Sequence, residues 1–195
     1  NVAFPILGPL LFLIYINDII NASPQLSYIL FADDPTLLYA DKNLDNIFSM
    51  FNTELPKLLT WLRTNKLSLN INKTNYVVFH NQNKQIKNFG HKIMIDNIEV
   101  EKKSCVQFLG IYLDEILSWN QQFNHILSYI SRIIGIMYKV KHILPLNALL
   151  LLYKSLMLSY LSYGNIIWGN GYSKHINALF KLQNRAVRLC SGSHV

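Results

Sequence analysis

The sequence predicts an α+β chain, with a mixed first part over residues 1–115 and a purely helical, basic second part over residues 116–195. Two observations carry this. Short β-prone runs occur only before residue 116, whereas apolar residues at three- and four-residue steps continue to the end of the chain. The charge divides at the same place. Residues 1–115 hold all 11 acidic and 10 basic residues, a net of −1, and residues 116–195 hold eight basic and no acidic ones, a net of +8. A boundary is therefore placed near Glu115. No Gly/Ser linker marks it, so the two parts are expected to pack together, and neither shows an internal repeat or a low-complexity tract.

In chain order, Leu7 to Ile20 reads as an apolar helix with Gly8-Pro9 near its start. Tyr28 to Ala32 and Thr36 to Ala40 are β-prone and flank Asp33-Asp34-Pro35, which predicts a hairpin with two carboxylates at its tip. Leu44, Ile47, Phe48, Phe51, Leu55, Leu58, Leu59 and Leu62 follow helical spacing, and Pro56 should kink or interrupt that helix. Tyr76 to His80 reads as a strand. His91 to Ile95 and Ile98 to Glu101, joined by Asp96-Asn97, read as a second hairpin. Ser104 to Leu113 supplies one more strand. Beyond it, Trp119, Phe123, Ile126, Ile130, Ile133, Met137 and Val140 alternate steps of four and three, a heptad-like seam. Residues 146–163 read as a buried helix. Ile176, Leu179, Phe180, Gln183, Val187 and Cys190 mark a last one, which carries Lys181, Arg185 and Arg188.

Composition excludes several classes. With 195 residues, a net charge of +7, 51% hydrophobic and 15% charged residues, the chain is no disordered tail. Cys105 and Cys190 are too few for a disulfide framework and lack CxxC spacing, so a reduced, intracellular protein is expected. Residue 1 is Asn, the first Met is Met50, and the apolar run Ile6–Ile16 starts almost at once. We expect a piece of something longer, without a signal peptide. Mean hydropathy is +0.18 and Lys154 is the only charge between Ile143 and Gly171. Asn147, Lys154, Ser155, Ser159 and Ser162 nevertheless recur at near-helical spacing, which favours a core helix with one wet edge over a membrane span. A membrane-associated helical protein stands as an alternative.

Phe31-Ala32-Asp33-Asp34 is the sharpest local feature. Adjacent carboxylates repel, and a close pair is costly unless a cation sits between them. Such oxygen-only ligands suit Mg²⁺, and two ions about 4 Å apart can stabilise both the attacking and the leaving oxygen of a phosphoryl transfer. Read alone, Asp-Asp-Pro is also an ordinary polar turn. The six histidines form no i, i+4 pair, Cys190 and His194 have no further ligand beside them, and neither GxGxxG nor a P-loop is present. The eight bases after residue 116 (Arg132, Lys139, Lys141, Lys154, Lys174, Lys181, Arg185 and Arg188) make an electrostatic footprint for phosphates. Tyr138, Tyr153, Tyr160 and Tyr163 are expected mostly in the core.

Taken in order, four segments carry a resemblance. They are Ile6-Leu7-Gly8-Pro9-Leu10-Leu11-Phe12 with Tyr15-Ile16-Asn17-Asp18; Leu30-Phe31-Ala32-Asp33-Asp34; Asn65-Lys66-Leu67-Ser68-Leu69-Asn70 with Lys73-Thr74; and Phe108-Leu109-Gly110-Ile111-Tyr112-Leu113-Asp114. Together they resemble the reverse transcriptase of non-LTR retrotransposons, jockey-type or a close relative. Leu152-Tyr153-Lys154-Ser155, Tyr160, Tyr163-Gly164, Trp168-Gly169 and Leu182 to Leu189 resemble the segment that follows the polymerase in those elements.

The resemblance implies a partial polymerase palm over 1–115 and a helical thumb over 116–195. It implies Asp33 and Asp34 as Mg²⁺ ligands, Lys73 near the leaving pyrophosphate, and Phe108, Leu109 and Gly110 as the turn gripping the primer end. RNA template, DNA primer and deoxynucleoside triphosphates would be the partners. The sequence also departs from the family. Val2, Ala3, Phe4 and Pro5 stand where relatives usually carry Pro-Gln-Gly-Ser. The other metal-binding Asp is expected on a strand before Asn1, and neither Asp18 nor Asp41 is a substitute for it. Pro35 stands where a hairpin normally supplies an N–H donor. The expectation is a truncated, decayed copy without polymerase activity of its own. A non-catalytic nucleic-acid-binding remnant or domesticated module is the alternative.

Overall fold

A computed structural model describes residues 3–83, 90–170 and 173–191. The chain divides into two compact units. The first comprises the chain to Tyr76 and a later stretch ending at Lys102; the second comprises the segment just after Tyr76 and the chain from Lys103. The division thus falls at Lys103 rather than near Glu115, because the segment before Glu115 bonds to the helix that follows it.

In the first unit, α1 (Ala3–Ile16) runs on into a 3₁₀ turn at Asn17–Ala22. Among residues 7–16 only Ile16 is buried, while Leu7, Leu10, Leu11, Leu13 and Ile14 are exposed. The Tyr15 hydroxyl donates to the Asn65 carbonyl and ties α1 to the end of α2 (Leu44–Thr64). α2 begins where the Asn43 side chain accepts the Asp45 N–H at 3.0 Å, satisfying one of the orphan donors of a first turn. It buries Phe48, Leu55, Leu58, Leu59 and Leu62 as the spacing requires, and Glu54 with them. The expected interruption at Pro56 is absent: helix runs unbroken through it. Losing one i→i−4 bond is outweighed there by burial of leucines on either side, each contributing about 1.5–3 kcal/mol.

β1 (Ser27–Phe31) pairs antiparallel with β2 (Asp34–Leu38). The predicted strand Tyr76–His80 shrinks to β3 (Asn75–Tyr76), which pairs parallel with β6 (Glu101–Lys102). β4 (Met94–Ile95) and β5 (Ile98–Glu99) form the second hairpin. Asp96 and Asn97 at its turn have φ of +50° and +64°, the double positive φ of a type I′ turn.

In the second unit, the single strand expected over Ser104–Leu113 is instead a hairpin of β7 (Cys105–Phe108) and β8 (Ile111–Asp114). At its end the Asp114 carboxylate accepts the N–H groups of Ser118 (2.9 Å), Trp119 (3.1 Å) and Ile116 (3.3 Å), and the Ser118 hydroxyl at 3.0 Å. This nest holds Leu117 and Trp119 at positive φ just before α3 (Asn120–Val140). The heptad-like seam is buried as expected: Phe123, Ile126, Ile130, Ile133 and Met137 pack with Trp168, Leu179 and Ala186. Gln122 is buried too, and its Oε1 accepts the Tyr112 N–H at 3.0 Å, joining β8 to α3.

The run expected as one buried helix at 146–163 is α4 (Leu146–Leu152), a π-helical stretch (Tyr153–Leu158) and α5 (Ser159–Ser162). Its burial is narrower than expected. Leu149, Tyr153 and Met157 form the buried stripe, while Leu146, Leu150, Leu151 and Leu158 are exposed. Short α6 (Asn165–Trp168) and long α7 (Ser173–Ser191) complete the unit. Among the described residues no helix is long and apolar enough to cross a membrane.

Candidate functional site

The β1–β2 hairpin places the two carboxylates. Its register runs from Ser27↔Leu38 to Phe31↔Asp34, so the loop is Ala32-Asp33 and Asp34 is the first residue of β2. The turn therefore lies one residue earlier than Asp33-Asp34-Pro35. Ala32 takes φ +49° to close it. Pairing ends on Phe31 and Asp34, and the next pair inward is Leu30↔Pro35. Pro35 has no N–H to give, and the pairing nevertheless continues past it to Ser27↔Leu38. Asp33 and Asp34 are both exposed. Among the described residues neither carboxylate makes a hydrogen bond or an ion pair with the chain.

Lys73 belongs to the same unit, at the end of a 3₁₀ turn, Ile71–Lys73. Its N–H donates to the Asn70 carbonyl at 3.1 Å and its carbonyl accepts from Asn75 Nδ2 at 3.1 Å. The backbone is fixed and the side chain is exposed. Among the described residues no hydrogen bond or ion pair joins its ammonium to Asp33 or Asp34.

Phe108, Leu109 and Gly110 lie in the second unit, at the tip of β7–β8. Leu109 and Gly110 have φ of +45° and +79° and form the turn itself, with Phe108 paired to Ile111 across it. Leu109 is exposed, and its carbonyl accepts the Tyr163 hydroxyl at 2.6 Å. In the sequence Tyr163 is one member of a tail pattern. The only hint of its position is the glycine beside it.

The basic side chains of the same unit are turned outward. Lys181, Arg185 and Arg188 occupy i, i+4 and i+7 of α7 and are exposed, while Leu179 and Ala186 face the core. On α3, Arg132 and Lys139 are exposed, and the Arg132 guanidinium lies 5.8 Å from the Tyr129 ring centre. The Lys141 ammonium sits 4.2 Å from the centre of the Tyr138 ring. Lys154 is exposed on the π-helical stretch, and the side chain of Lys174 lies outside the described residues. Among the described residues none of these cations is in an ion pair. The tyrosines divide: Tyr153 is buried and Tyr160 stacks on Tyr129 at 4.1 Å, but Tyr138 and Tyr163 are more than half exposed.

The two thiols and the histidines are the other candidates. Burial pushes the Cys105 thiol up, with the Asp114 charge adding to it, and burial alone pushes Cys190 up. Neither has the lowered pKa of a nucleophilic thiol. Among the described residues no group of three or more His, Cys, Asp and Glu comes together. His194, paired with Cys190 in the sequence, lies outside the described residues.

The family described as reverse transcriptase (RNA-dependent DNA polymerase) matches residues 6–113, more than half of the chain. The chain belongs to the reverse transcriptase family. A curated relative, the "Probable RNA-directed DNA polymerase from transposon X-element" of Drosophila melanogaster, is 24% identical over 194 residues. That match takes in 96% of this chain and 21% of the relative, so the chain spans about a fifth of the relative's length. No solved structure matches it. This agrees with a non-LTR retrotransposon reverse transcriptase, and so with a nucleotidyltransferase family. Reverse transcriptases generally depend on a divalent metal, and the exposed, oxygen-only pair Asp33 and Asp34 fits such an ion. The family match includes Asp33, Asp34, Lys73 and Phe108 to Gly110, and ends before the basic helices.

Proposed function

We propose that the chain supplies the catalytic hairpin and the duplex-holding helices of an RNA-directed DNA polymerase of a mobile element. One observation carries this reading: two adjacent carboxylates stand exposed at the tip of a tight antiparallel hairpin, with no cation among the described residues paired to either. Repulsion between them is relieved by a divalent cation, and Mg²⁺ is the hard, oxygen-seeking ion that such ligands suit. When bound there, Mg²⁺ would neutralise the phosphoryl oxygens of an incoming nucleotide and polarise them for displacement. Asp34 holds its carboxylate on a backbone fixed by cross-strand pairing, and Asp33 stands beside it in the turn. Lys73 presents an exposed ammonium from a fixed turn, suited to giving a proton to leaving pyrophosphate. Phe108, Leu109 and Gly110 would set the primer end.

In this reading residues 1–115 are the later part of a palm and 116–195 a thumb. The thumb's exposed cations hold an RNA template and DNA primer by their phosphates. The chain would bind template–primer through these cations, in an intracellular setting that keeps both thiols reduced. Mn²⁺ titration followed by electron paramagnetic resonance, in the presence of template–primer and a deoxynucleotide, tests the hairpin. Wild type should hold Mn²⁺ more tightly than Asp33→Asn or Asp34→Asn. Equal binding by all three would remove the catalytic reading.

The acid-free basic helices favour one second reading, a nucleic-acid-binding module without catalysis. It predicts salt-sensitive duplex binding that survives Asp33→Ala, together with no carboxylate-dependent Mn²⁺ binding.

A further inference from the structure

The turn assigned above to the primer end is braced by a second turn, fifty-four residues later in the chain. Tyr163 Oη donates to the Leu109 carbonyl at 2.6 Å. The same ring covers Gly110, where a Cβ would lie 3.4 Å from Tyr163 Cε1. The next residue, Gly164, takes φ +61° and approaches β8 so closely that a Cβ would fall 2.5 Å from Ile111 Cδ1. Behind them, Trp168 Nε1 donates to the Tyr163 carbonyl at 3.0 Å. Trp168 is buried and packs edge-on against Phe123, ring centres 5.5 Å apart. A continuous path therefore runs from the core of the helical unit, through Trp168 and Tyr163, to the backbone of Leu109.

Packing alone does not explain the arrangement. Tyr163 is 57% exposed, so its ring buries little surface. Its hydroxyl instead reaches a non-glycine residue held at φ +45°. Side-chain-bearing residues persist in that region only where surrounding structure holds them. A hydrogen bond to the carbonyl of that residue fixes the orientation of the peptide between Leu109 and Gly110, and with it the direction in which the turn presents its N–H groups.

We propose that Tyr163 is a positioning residue for the primer 3′ end, acting through the Leu109–Gly110 turn. The proposal rests on the reading of Phe108 to Gly110 as the primer contact. Tyr163→Phe keeps the ring and removes the hydroxyl, and an unchanged thermal melt is its control. Two readouts on the full chain test it. Amide hydrogen exchange reports the turn directly, and loss of one hydrogen bond should speed exchange across 109–111 by about fivefold. Fluorescence of 2-aminopurine at the primer 3′ terminus of an RNA–DNA duplex reports the position of the end. The variant should lose most of the protein-induced change there, while duplex affinity stays within about twofold because the basic helices that hold the phosphates are untouched. Gly110→Ala, which strains the turn at φ +79° while its methyl group only touches the ring, should produce the same two changes.

Unchanged exchange in Tyr163→Phe would overturn the brace. Faster exchange with an intact terminal signal would overturn the positioning role. No terminal signal from the wild-type chain would remove the primer-contact reading and this proposal with it, a result distinguishable from the other two because the wild type itself fails.

Discussion

Ser23 Oγ donates a 2.7 Å hydrogen bond to Glu54 Oε2, and both residues are buried. Lys57 Nζ holds the other oxygen at 2.6 Å while staying largely in solvent itself. The Lys57 hydrogen bond, and after it that of Ser23, keeps the Glu54 carboxyl below its ordinary value of 4.5. The unfolded chain therefore takes up a proton at a higher pH than the folded one. This contribution to stability is complete above the ordinary value and is lost as pH falls through the lower folded one. Urea midpoints measured between about pH 3 and pH 6 should fall with acid in the wild type and fall less in Glu54→Gln. Ser23→Ala should lower the midpoint at neutral pH, because a buried carboxylate oxygen loses its donor.

Asp114 gathers three backbone N–H groups and one hydroxyl, and so builds the corner between β8 and α3. Asp114→Ala should cost about 2–3 kcal/mol in thermal or urea unfolding, the scale for hydrogen bonds to a charged acceptor. Asp114→Asn keeps one acceptor oxygen and should cost less. Equal stability of all three chains would show that Leu117 and Trp119 hold their positive φ without it.

Lys181, Arg185 and Arg188 form one exposed row on α7. Each cation that neutralises a duplex phosphate steepens the slope of log affinity against log salt by about 0.9 for a B-form duplex. Replacing all three by Gln should therefore flatten the slope by about 2 to 3, as measured by fluorescence anisotropy at several salt concentrations. An unchanged slope would place the phosphates elsewhere.

Gly164 is held at φ +61°, with Ile111 Cδ1 only 2.5 Å from where a Cβ would stand. Gly164→Ala should destabilise the second unit by about 2 kcal/mol, from left-handed strain and collision with a side chain that is itself buried. Ile111→Val removes Cδ1 and should recover part of that loss in the double variant, as read from a double-mutant cycle of melting temperatures.

Local spacing encodes some of this fold and none of its long-range pairings. The α3 seam and the α2 face each present one apolar stripe, and both are buried as spaced. Asp96-Asn97 tolerates positive φ at both positions and marks its hairpin correctly. The β7–β8 turn is not legible as a hairpin, because Leu109-Gly110 carries no polar turn marker inside an apolar run. Residues 146–163 read as broadly buried, since apolar composition does not say which side finds a partner. Glu54 interrupts the apolar stripe of α2 between Phe51 and Leu58, and that interruption is the one available sign of a buried carboxylate. For the candidate site, Asp33 and Asp34 stand out by adjacency alone. Tyr163 does not, because its relation to Leu109 exists only across fifty-four residues of folded chain.

Neither compact unit is a continuous length of chain. After Tyr76 the backbone enters the second unit, where the His80 N–H donates to the Glu115 carbonyl at 2.9 Å. It returns to the first unit for the hairpin at Asp96-Asn97 and for the parallel pairing of Asn75 with Glu101, and leaves again at Lys103. A recombination event with one breakpoint therefore cannot hand either unit to another gene without a piece of the other. A break after Lys102 carries the carboxylate hairpin together with a stranded strip of the second unit, and a break after Tyr76 carries the basic helices together with a stranded hairpin of the first.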